Sequence, residues 1–126
     1  MNVKLDTKEK FTVISPEETH LSANMTDELG ELLHAYLQKD IPHVVFNLEQ
    51  VAAADESVCE LLATVQGEFY NSNSSFVICN LSGEIEKILK EKDLIDTMNI
   101  TNSESEAWDI VQMEQIEREL LNGEWD

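Results

Sequence analysis

The densest group of chemically able side chains is the run Asp55-Glu56-Ser57-Val58-Cys59. It holds two carboxylates, a hydroxyl and a thiol at the expected start of a helix. Adjacent helical residues do not converge on one point, so Asp55 and Glu56 make a poor metal site or acid–base pair. Ser57 reads either as a phosphate acceptor or as a first-turn residue bonding locally. Cys59 lies one turn from Glu56. A helix N-terminus there would lower its pKa, whereas a small buried cysteine would be inert. Cys59 and Cys79 are 20 residues apart and match no zinc or redox spacing. His20, His34 and His43 are scattered, and His34 reads as a structural histidine beside an apolar helix face. The four glycines, at 30, 67, 83 and 123, form no phosphate loop. The receiver-domain pattern of clustered acids and a late lysine is missing from residues 5–20 and 97–103. No catalytic constellation, metal or cofactor is therefore expected, and the residues point to binding rather than catalysis.

These residues need a scaffold, and the apolar pattern supplies one. Residues 2–6 alternate as a half-buried strand, residues 7–10 make a hairpin link, and 11–15 form a second strand ended by Pro16. Met25, Leu29, Leu32, Leu33, Tyr36 and Leu37 give a helix, capped by Asn24 or Thr26 and stopped by Ile41-Pro42. Val44 to Leu48 is a nearly continuous apolar run, as in a strand covered on both faces. Val58, Leu61, Leu62, Val65 and Phe69 mark a second helix, with Asp55 as its cap. A turn at 71–74 precedes a buried strand at 76–79. Ser82 caps a third helix, stabilised by a Glu86–Lys90 pair. A short strand follows at 97–100. Ser103 and Glu106 have capping-box spacing at the head of a last helix reaching about Leu121. Trp108 reads as core. Trp125 reads as a frayed end or an interface anchor.

Strands separated by helices predict a single α/β domain. Its sheet is mixed but mostly parallel, with about five strands and about four helices. The domain spans 1–112. Residues 113–126 form an acidic C-terminal helical extension. The last helix carries too many apolar positions for one narrow stripe.

The 126 residues include 26 acidic and eight basic ones, for a net charge of −18. Such a field disfavours nucleic acid and anionic membranes and favours basic partners, or serves solubility alone. No run approaches the roughly 18 apolar residues of a membrane span. The N-terminus lacks a signal-peptide pattern, and a reduced cytoplasmic protein is expected.

The stretch Val44 to Val58, with His20-Leu21-Ser22 upstream, resembles the STAS family of sulphate-transporter and anti-sigma-factor-antagonist domains, over roughly residues 3–112. In the bacterial antagonists, a buried strand and short loop lead to Asp-Ser-Ser/Thr-Gly opening a helix. The first serine is phosphorylated by a serine kinase-type anti-sigma factor. The resemblance puts Glu56 at the phosphoacceptor position and leaves Ser57 as an alternative acceptor. Val58 replaces the glycine, and Ser22 stands where the family often has Asp. Glu carries one charge against about −1.5 to −2 for phosphoserine, so Glu56 would imitate the modified state in part. Otherwise it is a first-turn acid favoured by the helix dipole. The resemblance implies partner contacts at Ser22, Ala23, Asn24, Ala54, Asp55 and Val58. It also allows a constitutive subunit of a larger assembly, such as a lipid-transport ATPase or a stress-signalling complex.

Overall fold

The computed structural model describes residues 1–121. Strands β1 (Val3–Thr7) and β2 (Thr12–Pro16) form an antiparallel hairpin. The chain then alternates between helices and strands: α1 (Thr26–Ala35), β4 (Val44–Asn47), α2 (Glu56–Asn71), β6 (Phe76–Cys79), α3 (Gly83–Glu91), β7 (Ile100–Thr101) and α4 (Glu104–Leu121). Two more strands of two residues each, β3 (His20–Leu21) and β5 (Ala53–Ala54), pair separately. The main sheet has the order β1-β2-β4-β6-β7, with every pairing beyond the hairpin parallel. The expected α/β domain with a five-stranded mixed sheet and four helices is the fold observed.

Side-chain alternation along the strands builds two cores. Ile14, Val44, Phe46, Phe76 and Ile78 point to the face covered by α1, α2 and α3. Val13, Val45, Val77 and Cys79 point to the other face, beneath Ala107 and Val111 of α4. Register aligns Val13 with Val45 and Val45 with Val77, so one valine row crosses the sheet under α4. Phe69 and Phe76 have ring centroids 5.2 Å apart inside the larger core. Trp108, half-buried, stacks on Phe11 at 4.9 Å and closes the smaller one.

Several elements depart from expectation. Neither Asn24 nor Thr26 caps α1. A 3₁₀ turn, Ala23–Met25, leads into the helix, and the Thr26 hydroxyl donates back to the Ala23 carbonyl at 2.9 Å. The helix ends at Ala35 in a second 3₁₀ turn, Tyr36–Gln38, before Ile41-Pro42 is reached. The strand expected at 97–100 is a 3₁₀ turn at Ile95–Thr97 followed by β7, where Ile100 and Thr101 stand in register with Ile78 and Cys79 of β6. The local signals of the later helices hold. The Ser82 hydroxyl accepts from the Ile85 N–H, Ser103 exchanges bonds with Glu106, and Glu86 meets Lys90 at 3.3 Å.

The last helix runs unbroken through position 112. Its second half stays tied to the body: Glu114 accepts from Asn99 at 3.0 Å, and Arg118 donates to the Ser75 hydroxyl. Gly123 and Trp125 lie outside the described residues.

Candidate functional site

The segments 20–24 and 54–58 meet at one end of the sheet. The β3–β5 pairing sets His20 opposite Ala53 and Leu21 opposite Ala54. Backbone bonds extend the join: Ala52 donates to Thr19 at 2.8 Å and Asp55 to Leu21 at 2.9 Å. The Asp55 backbone adopts the extended conformation of an N-cap, and its carbonyl accepts from Val58 and Cys59. Its side chain does not cap the helix. One carboxylate oxygen accepts from the Ala23 N–H at 2.8 Å, and the other lies 2.8 Å from His20 Nε2. The Ala23 amide, and then the His20 ring, hold the Asp55 carboxyl below its usual pKa. A charge-assisted hydrogen bond thus clamps the loop before α1 to the head of α2.

Glu56 and Ser57 stand exposed beside this clamp. The Glu56 side chain is 70% exposed and lies 3.3 Å from Lys92 Nζ, at the end of α3. Lys92 also lies 4.0 Å from Glu60. An exposed pair of this kind contributes about 0–1 kcal/mol. Ser22, Ala23 and Asn24 line the loop side, with Ala23 and Asn24 exposed. Val58 is fully buried and Ala54 nearly so. Neither offers a side chain to a partner: Val58 is the first inward residue of α2, and Ala54 is the inward residue of β5.

The thiols are not activated. Burial, and next the charge of Glu56, push the Cys59 pKa up, against the lowering that a helix N-terminus alone would give. Burial pushes Cys79 up to about 12. The other histidines sit apart from the clamp. His34 Nε2 lies 2.6 Å from Glu68 without hydrogen-bond alignment. His43 Nδ1 accepts from the Ser75 N–H at 3.0 Å, and its pKa is lowered by burial and by the Arg118 charge. Among the described residues, no group of three or more His, Cys, Asp or Glu is placed to hold a metal ion. No described helix is long and apolar enough to cross a membrane.

The sequence names His20 but does not show its pairing with Asp55, and it gives no sign of Lys92. Each meets an acid more than 30 positions away, at contacts created by the fold. The one local hint was a histidine two residues before Ser22 in a loop bound for the head of α2.

The model of the STAS domain matches residues 2–107. The chain belongs to the STAS domain family. Its fold is shared by solved STAS structures of low sequence identity. A Thermotoga maritima protein assigned as an anti-sigma factor antagonist is 15% identical, with a TM-score of 0.78 over 87% of this chain and 94% of its own. An anti-sigma-factor antagonist domain protein from Planctomyces limnophilus is 20% identical, with a TM-score of 0.75 over 87% of this chain and 97% of its own. A Ser-to-Glu variant of RsbS from Moorella thermoacetica is 19% identical, with a TM-score of 0.73 over 89% of this chain and 96% of its own. No curated protein sequence matches the chain.

Proposed function

We propose that this STAS domain is a non-catalytic, cytoplasmic protein-binding regulator of the anti-sigma factor antagonist kind, with Glu56 in place of the phosphoacceptor serine. The observation that carries this reading is the Asp55 clamp to Ala23 and His20. It orders Ser22, Ala23 and Asn24 beside Glu56 and Ser57 before any partner arrives. Preorganised surface binds at lower entropic cost than a loose loop. The partner implied is a serine kinase-type anti-sigma factor with a histidine-kinase-like ATP-binding fold. SpoIIAA, of the same fold, has been solved in unphosphorylated and phosphorylated forms. A fixed carboxylate at position 56 gives this chain a permanent single charge where a phosphate would come and go.

A second reading, a constitutive subunit of a larger assembly, is favoured by the Glu56–Lys92 pair. There the acid joins α2 to α3 and needs no switch. Incubation with a serine kinase-type anti-sigma factor and ATP, followed by intact mass measurement, tests the first reading. Wild type is expected to gain no phosphate and Glu56→Ser to gain one. Phosphate on Ser57 of the wild type would sink the locked-state reading. Recovery of a transport ATPase subunit instead of a sigma-factor regulator from a pull-down would favour the second.

A further inference from the structure

The last helix is apolar on two sides. Ala107 and Val111 face the sheet, while Met113 and Ile116 are 55% and 57% exposed. Ile116 borders a groove of about 540 Å³ between α4 and the segment leading into β4. Trp108, Val111 and Ile41 complete its apolar lining, and Ile41 is 45% exposed. Glu9, Asp40 and Glu119 stand among its polar residues, with Lys10 as the one lysine or arginine. The stretch of α4 from Trp108 to Glu119 is about 16 Å long at 1.5 Å per residue, which matches about three turns of a second helix.

The groove is remote from the Asp55 clamp. It lies on the α4 face of the sheet, opposite α1–α3. It also lies at the other end of the strands, because His43 directly precedes β4 and Arg118 meets Ser75 just before β6. A second copy is a poor occupant, since each copy carries a net charge of −18 and the same acidic rim. Anionic lipid and nucleic acid are repelled in the same way.

We propose that the groove between α4 and residues 40–43 docks a basic amphipathic helix of a partner protein. Its apolar stripe covers Ile41 and Ile116, and its lysines or arginines meet Glu9, Asp40 and Glu119. Helix-in-groove binding of this type takes its affinity from the apolar anchors and its orientation from the charged flanks. The inference stands independently of the phosphoacceptor reading.

The probe is a synthetic Leu/Lys amphipathic helix, with a scrambled peptide of identical composition and a Leu/Glu helix as controls. Binding is followed by calorimetry, and its location by backbone amide shifts. The amphipathic Leu/Lys helix is expected to bind at least tenfold more tightly than either control and to shift amides of α4 and residues 40–43. Ile116→Asp is expected to weaken binding at least tenfold, and Glu119→Lys to weaken it and flatten its salt dependence. Both sites are on the surface, and circular dichroism checks that each variant is folded. Equal binding of the scrambled peptide, shifts centred on residues 55–57, or self-association through α4 in sedimentation would overturn the proposal.

Discussion

Asp55 shows how much a single carboxylate does at the head of α2. Its pKa is lowered by the Ala23 amide and the His20 ring, so the ionised form is favoured in the folded state. The sign of the linkage follows. The stabilisation is complete above the ordinary aspartate value of about 4 and is lost as the pH falls through the lower folded value. Asp55→Asn is therefore expected to melt below wild type at neutral pH, with the gap closing as the pH falls below about 4. Thermal melts of both proteins across that range check this, and a gap independent of pH would contradict it. Sequence reasoning located Asp55 and named it the N-cap, which its backbone is. The direction of its side chain was not legible. The Ala23 amide is 32 residues away, and the two-residue strands that bring it close are too short to leave a periodic pattern. Val58 was legible as an inward helix position, and the buried core decides that role over a contact role.

Among the elements, α3 best illustrates local encoding. Ser82 accepts from the Ile85 N–H at 3.3 Å and donates to the Ala52 carbonyl at 2.9 Å. It thereby caps the helix and pins the strand-to-helix segment that leads to β5. Ser82→Ala is expected to cost about 1 kcal/mol, the usual loss for an N-cap. Urea unfolding measures it, and a change within error of zero would show the cap to be dispensable. This cap and the Ser103–Glu106 box were legible because a run of four residues suffices to define them. The start of α1 was not, because its opening 3₁₀ turn leaves Met25, with no capping side chain, at the N-cap. The shift of β7 to 100–101 has a similar origin. Met98 is buried, which mimics a strand residue, yet its backbone turns back to Ile95.

At the scale of the whole molecule, 26 acids against eight bases set the electrostatics. The pairs at Lys87, Lys90 and Lys8 are exposed, so water and salt screen them and they add little. With a net charge of −18, repulsion among the acids is expected to outweigh them. Added salt, which shortens the screening length to about 10 Å at 0.1 M, is expected to raise the melting temperature. Calorimetry at low and high sodium chloride checks this, and a fall in melting temperature would show that ion pairs dominate. Fold class was legible because the runs at 44–48 and 76–79 are apolar at odd and even positions alike, as strands covered on both faces require. The excess of apolar residues in α4 was legible too. Their division between the sheet and the outer groove was not, because a helix with two apolar sides has no single stripe to follow.

The strand order has a consequence in time. The hairpin β1–β2 is the one main-sheet pairing whose strands are joined by a short connection. Each parallel pairing must wait for a helix-length loop to close, and the entropy of closure is lost before any ladder bond forms. The hairpin strands can find each other without waiting for a distant segment, although two strands alone are marginally stable in water. A chain emerging from the ribosome cannot complete the valine row beneath α4 until β6 has been made, and it cannot cover that row until Ala107 to Val111 of α4 arrive. Until then the partly made protein exposes the apolar strip that its final helix conceals.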